Sequence, residues 1–144
     1  MRVAVPGGTG LIGRKLAALL IERGHKPVIL TRDTGKMRSG IEQMEFRKWP
    51  AGGEEEKTLE GVDAVVNLAG ESIASGRWTG NRKKRIRDSR VLGTKRLVDT
   101  FGRLEKAPKV LIAGSAVGYY GSRGDDILGE DEGPGSDFLS GVCS

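Results

Sequence analysis

Three glycines at a spacing of three, Gly7, Gly10 and Gly13, stand between the apolar run Val3-Ala4-Val5 and a helical pattern. Each glycine frees the backbone for a different task. Gly7 permits a tight turn off a strand, Gly10 lets the main chain approach a ligand, and Gly13 lets the helix pack closely against the sheet. The N–H groups of the first helical turn, around Leu11 and Ile12, have no intrahelical acceptor and sit at the positive end of the helix dipole. They can therefore receive phosphate oxygens. The segment Gly7-Gly8-Thr9-Gly10-Leu11-Ile12-Gly13 is spaced to hold the pyrophosphate of a dinucleotide, provided a strand precedes it and a helix follows.

The end of the next strand selects between dinucleotides. An acid about 20 residues after the glycines would accept a hydrogen bond from a ribose 2′-hydroxyl. This chain has Thr31-Arg32 there, with Asp33 one step later. A guanidinium can form a bidentate pair with a 2′-phosphate, which a carboxylate would repel. NADP is favoured over NAD on this ground, although Asp33 offers Arg32 a neighbour that would leave it a plain surface residue. Asn67-Leu68-Ala69-Gly70-Glu71 closes a further apolar strand. Leu68, Ala69, Gly70 and Glu71 then lie where ligands bind in such folds, with Ala69 and Gly70 small enough for the adenosine side of the cofactor.

The elements that must position these residues alternate. Val3-Ala4-Val5 reads as a buried parallel strand. Apolar residues at 12, 16, 19 and 20 give a helix over 11–23, stopped by Gly24. Val28-Ile29-Leu30 follows as a second strand. Residues 33–42 read as loop, Met44 to Lys48 as an edge strand, Pro50 to Glu56 as a charged turn, and Ala64 to Ala69 as a fourth strand. A long helix is predicted over 79–105, with Ile86, Gly93, Leu97, Phe101 and Leu104 along one side. Pro108 breaks it, and Val110 to Ala113 forms a fifth strand ending at Gly114-Ser115. The rest is Gly- and Asp-rich loop until Phe138 to Ser144, which resembles the opening turns of another helix. The pattern predicts an α/β Rossmann-type fold, a doubly wound parallel sheet with helices on both faces, truncated before its last elements.

Composition narrows the classes. The 144 residues suffice for one domain, with 37% hydrophobic and 30% charged residues, and glycine stands out at 23. No apolar run approaches the roughly 20 residues that span a bilayer, and no secretory leader is read at the N-terminus. One cysteine, Cys143, and one histidine, His25, give neither an internal disulfide nor a metal-ligand set, which fits a cytoplasmic protein without a metal. The net charge of +5 is concentrated from Arg77 to Arg90 and opposed by the acidic stretch Asp125 to Asp137. A solvated helix face and a solvated acidic loop account for both. Nucleic-acid binding is disfavoured, because no aromatic residues interleave the basic ones. His25 reads as a surface turn residue, Trp49 as packing, and Trp78 as packing or a lid.

Together, the glycine loop, Asn67-Leu68-Ala69-Gly70-Glu71, Arg77-Trp78-Thr79, Asp88-Ser89-Arg90 and Ser115-Ala116-Val117-Gly118-Tyr119-Tyr120-Gly121 resemble the extended short-chain dehydrogenase/reductases. Within them, the similarity is to the epimerase-family, cell-division-inhibitor-like NADP-binding branch, and it covers the whole chain. The resemblance implies that residues 1–144 are the NADP-binding half of a protein about twice as long, whose C-terminal substrate domain is absent. It implies a catalytic role for Ser115, whose hydroxyl would donate to a substrate carbonyl oxygen, and that Arg90 faces the cofactor. It also exposes a departure. The Tyr-x-x-x-Lys acid/base pair is missing, and Leu139 and Cys143 stand in its neighbourhood. Tyr119 and Tyr120 lie too early to replace that Tyr; Tyr120-Gly121 shapes the loop beside the nicotinamide, or packs. Two functions follow as expectations: the NADP(H)-binding domain of an oxidoreductase or epimerase acting on a small molecule, or a non-catalytic NADP(H)-binding regulatory or sensor module.

Overall fold

The computed structural model describes residues 1–33, 43–50 and 53–144. Most of the loop read at 33–42, and residues 51–52 of the charged turn, lie outside the described residues. The chain forms two compact units, residues 1–113 and 114–144.

The first unit holds β1 (Arg2–Pro6), α1 (Leu11–Glu22), β2 (Lys26–Thr31), β3 (Glu45–Lys48), α2 (Glu55–Leu59), β4 (Ala64–Asn67), α3 (Gly80–Phe101) and β5 (Val110–Ala113). The sheet has the order β3-β2-β1-β4-β5. Every pairing is parallel, with Val5 opposite Ile29 and Asn67 opposite Ala113. The expected doubly wound arrangement is present. The chain builds outward from β1 to β3, then returns to place β4 on the other side of β1. That reversal opens a crevice at the carboxyl ends of β1 and β4.

Both faces of the sheet are covered, which is why its central strands read as unbroken apolar runs. Side chains alternate: Val3, Val5 and Ile29 join Ala17, with Leu16 and Leu20 of α1 packed against them. Ala4, Val28, Leu30 and Val65 face the other way and join Leu59 of α2 and Leu97 of α3. Val5, Val28, Ile29, Leu59, Val65 and Leu97 are fully buried, and such side chains contribute about 1.5–3 kcal/mol each.

Element ends follow local chemistry. Gly24 adopts φ +73° after α1, and His25 N–H returns to Leu20 O at 2.8 Å, so the helix stops where the glycine predicted. Thr79 caps α3, its Oγ1 accepting from Arg82 N at 3.3 Å. The helix ends at Phe101, short of the expected 105, as turns from Arg103 to Thr100 O and Leu104 to Phe101 O take over. The charged turn at 50–56 instead contains the start of α2. A five-residue helix with Glu55 and Thr58 among its buried positions carries no apolar stripe to announce it.

The second unit is mostly irregular, with a 3-10 turn at Val117–Tyr119 and α4 (Phe138–Cys143). Gly135 N–H donates to Tyr119 O at 2.9 Å. Asp137 caps α4 by accepting from Ser140 N at 2.9 Å, and Ser140 Oγ lies 2.9 Å from Asp137 Oδ1 and 3.1 Å from Gly118 O, its one hydrogen shared between the two acceptors. The two bonds from Ser140, first the backbone N–H and then the hydroxyl, hold the Asp137 carboxyl below its ordinary range.

Candidate functional site

A cleft of about 550 Å³ opens at the carboxyl ends of β1, β2 and β4. Its floor is the loop after β1. Gly7 adopts φ +80°, and a Cβ there would come within 2.6 Å of Leu68 C and O. Only glycine lets this loop lie directly on the turn after β4. Gly13 sits beneath the same loop, where a Cβ would meet Gly7 O and Gly8 Cα at 2.5 Å. The helix thus packs on its own entry loop as well as on the sheet. Gly10 is the N-cap of α1 and supplies no side-chain cap. Leu11 and Ile12, the first helical residues, are 76% and 68% exposed.

The wall after β2 begins with Thr31 and Arg32. Thr31 Oγ1 accepts from Asp33 N at 3.3 Å, and Thr31 O accepts from Trp49 N at 2.8 Å. The second bond sets Trp49 and Pro50 on the cleft. Trp49 also packs on the buried cluster below, so its expected packing role is joined by a lining one. Behind this wall β3 is tied inward. Arg2 and Arg47 each donate to Glu45 at 2.6 Å, and Arg47 Nη1 donates to Thr58 O and Glu60 O at 2.6 and 3.0 Å. Burial by itself would raise the Glu45 carboxyl, but these two guanidiniums outweigh it and hold it below 4.5.

The opposite wall is the turn after β4, held by α3. Asn67, 7% exposed, donates from Nδ2 to Thr94 Oγ1 at 3.0 Å, and its Oδ1 accepts from Ala69 N at 3.2 Å. Glu71 N–H donates to Ser89 Oγ at 3.0 Å. Arg82 reaches Glu71 Oε1 at 2.9 Å, Ser75 Oγ at 2.7 Å and Ser72 O. One residue of the basic stretch, Arg82, is therefore spent on holding this turn. Trp78 Nε1–H donates to Ile73 O at 2.9 Å.

Of the residues expected to hold a cofactor, Gly7, Thr9, Gly10, Thr31, Arg32, Leu68, Ala69, Gly70 and Glu71 line one cleft. Leu11, Ile12 and Gly13 belong to the helix start adjoining it. Arg90 Nη1 donates to Glu71 O at 3.0 Å and Ile86 O at 3.2 Å, which holds its guanidinium against the turn after β4. Asp88, Ser89, Leu92, Gly93 and Arg96 of α3 also line the cleft, and the sequence reading assigned none of them.

Ser115 belongs to the second unit, two residues past β5, and is exposed. Tyr119 and Tyr120 stack edge to face, with centroids 5.2 Å apart. Leu139 and Cys143 stand one turn apart on α4, and the Leu139 side chain lies over Gly118. Among the described residues, no three His, Cys, Asp or Glu side chains come together as a metal site. No helix among them is long and apolar enough to cross a membrane.

The model of the NAD dependent epimerase/dehydratase family matches residues 3–137. An epimerase family protein SDR39U1 homolog of Arabidopsis thaliana, described as chloroplastic, is 37% identical over 147 residues, covering 99% of this chain and 42% of the plant protein. The human epimerase family protein SDR39U1 (isoform 2), crystallised with NADPH, superposes with a TM-score of 0.79 at 30% identity, over 99% of this chain and 46% of that one. A nucleoside-diphosphate sugar epimerase of Corynebacterium glutamicum gives 0.75 at 35% identity, over 99% and 28%. The chain spans somewhat under half the length of the curated relatives it matches.

Proposed function

The chain belongs to the NAD dependent epimerase/dehydratase family, and from that premise we propose that residues 1–144 are the NADP(H)-binding domain of a cytoplasmic oxidoreductase or epimerase of the extended short-chain type. The observation that carries this reading is the cleft at the β1/β4 reversal, where the glycine loop and an uncapped helix start meet an arginine after β2. Its volume lies within the ~300–1,000 Å³ usual for small-molecule sites. The human relative crystallised with NADPH supports the choice of nucleotide.

Each wall has a task. Backbone N–H groups of Leu11 and Ile12 donate to the pyrophosphate, and the Thr9 hydroxyl stands beside them. Leu68, Ala69 and Gly70 form the small surface beneath the adenosine. Glu71, neutralised by Arg82, keeps this turn in place without repelling the phosphates. Arg32 pairs with the 2′-phosphate. Arg90 acts as a positioning residue behind the turn. When bound, the nicotinamide supplies a hydride donor or acceptor. Ser115 would donate a hydrogen bond to the oxygen of a carbonyl or alcohol substrate.

A non-catalytic, regulatory or sensing role for NADP(H) is the second reading, favoured by one observation. Leu139 and Cys143 stand one turn apart on α4, in the neighbourhood where the resemblance would put the Tyr and Lys of the acid/base pair. An alkyl side chain at 139 cannot transfer a proton. Equilibrium titration of the chain with NADPH tests the shared premise. Saturable binding is expected, with loss of at least about tenfold in Gly10→Asp, whose carboxylate would face the pyrophosphate. Undiminished binding in that variant would remove the glycine loop from the account.

A further inference from the structure

The charges on the cleft are unevenly compensated. Four charged side chains line it: Arg32, Glu71, Asp88 and Arg96. Both carboxylates are paired with cations outside the lining, Glu71 with Arg82 at 2.9 Å and Asp88 with Lys84 at 2.6 Å. Neither arginine has a carboxylate partner among the described residues. Among the described residues, the cleft therefore presents two guanidiniums without a carboxylate partner, one from the turn after β2 and one from α3.

Position along α3 indicates which end of the cleft Arg96 serves. Ser89 marks the Glu71 end, because its hydroxyl accepts from Glu71 N. Arg96 lies seven residues further, about 10 Å along the helix axis. Its neighbour Leu97 is buried in the cluster that contains Leu30 and supports Trp49. Arg96 thus belongs to the end walled by Leu30, Thr31, Arg32 and Trp49.

We propose that Arg96 is a second specificity-determining residue, which with Arg32 brackets the 2′-phosphate of NADP(H) from the side of α3. This rests on the NADP(H) reading above and adds a residue to it. A phosphomonoester near pH 7 carries close to two negative charges, and two guanidiniums from separate elements match it better than one. Neither arginine has to leave an ion pair with a described residue to bind it.

The test is titration of the wild-type chain, Arg96→Gln and Arg96→Lys with NADPH and with NADH at one fixed salt concentration. Arg96→Gln should weaken NADPH binding by about 10- to 100-fold and leave NADH binding within about threefold. Arg96→Lys should keep part of the NADPH preference, since it retains charge but not the planar fork. An unchanged NADPH:NADH ratio in Arg96→Gln overturns the inference while leaving the nucleotide site intact. So does an equal fall for both nucleotides, which would assign Arg96 to a part they share. Absence of saturable binding of either nucleotide to the wild-type chain overturns the functional reading itself and this inference with it.

Discussion

The guanidinium of Arg90 fills the space that a side chain on Gly70 would need. A Cβ on Gly70 would stand 2.8 Å from Arg90 Cζ, while Arg90 Nη1 donates to Glu71 O at 3.0 Å. The turn after β4 is shaped by this contact: the glycine allows the arginine in, and the arginine fixes the carbonyl that follows.

Gly70→Ala should therefore push the guanidinium off its two carbonyls, Glu71 O and Ile86 O. Because the displaced group is the end of a long side chain, the expected cost is modest, about 1–2 kcal/mol by urea denaturation. Paired with Arg90→Ala, the cycle should show coupling, with Gly70→Ala costing less when Arg90 is already gone. Additive effects would mean that the contact does not shape the turn.

Gly13→Ala should be more damaging. Its Cβ would meet Gly7 O and Gly8 Cα at 2.5 Å, and both are backbone atoms that cannot rotate away. The entry loop or the helix must shift, at a cost of about 1–3 kcal/mol. NADPH affinity should fall with it, because the loop displaced is the floor of the cleft. Preserved stability together with preserved binding would contradict the packing described.

Arg47 ties β3 to the end of α2 through two backbone carbonyls, Thr58 O and Glu60 O, and pairs with Glu45 on its own strand, with its side chain 17% exposed. Arg47→Ala should cost about 2–3 kcal/mol, because it strands carbonyls and a carboxylate together. A change below about 0.5 kcal/mol in the unfolding free energy from urea denaturation would show that β3 is held by its strand pairing alone.

Acid should expose the same tie. The Glu45 carboxyl lies below 4.5 in the folded chain despite burial, because Arg47 and Arg2 donate to it. Glu56 is lowered by the hydrogen bond from Arg103, and Asp137 by its bonds from Ser140. A depressed folded value means that the unfolded chain binds the proton first. The stabilisation is therefore complete above the ordinary carboxylate range and is lost as pH falls through the folded values. The unfolding midpoint should be steady from pH 7 to about 5 and decline below about 4.5. Glu45→Gln should shallow that decline, and a midpoint that rises on acidification would reverse the sign argued here.

The parts of the site built from local backbone chemistry were legible in the residues themselves. Gly7, Gly10 and Gly13 announce a loop between strand and helix, because their spacing serves only a backbone task. Val3 to Val5 announce a doubly covered strand, because every position is apolar. What was not legible depends on tertiary placement. Arg90 and Arg96 are six residues apart on one helix, and nothing in their spacing says that one backs a turn while the other lines a cleft. The stripe Ser89, Leu92, Gly93 and Arg96 keeps the period of one helix face, but its mixed chemistry does not tell a face toward a ligand cleft from one toward water. The helix Glu55–Leu59 was hidden for a related reason: with Glu55 and Thr58 buried alongside Leu59, its inward side is mostly polar.

The central claim is that the cleft at the β1/β4 reversal holds NADP(H) and selects it by its 2′-phosphate. Equilibrium titration of the purified chain with NADPH and NADH, side by side at the same ionic strength, tests it most directly. The account predicts saturable one-site binding with NADPH favoured by at least about tenfold, and a preference that shrinks as salt is raised. Equal affinity for the two nucleotides would contradict it.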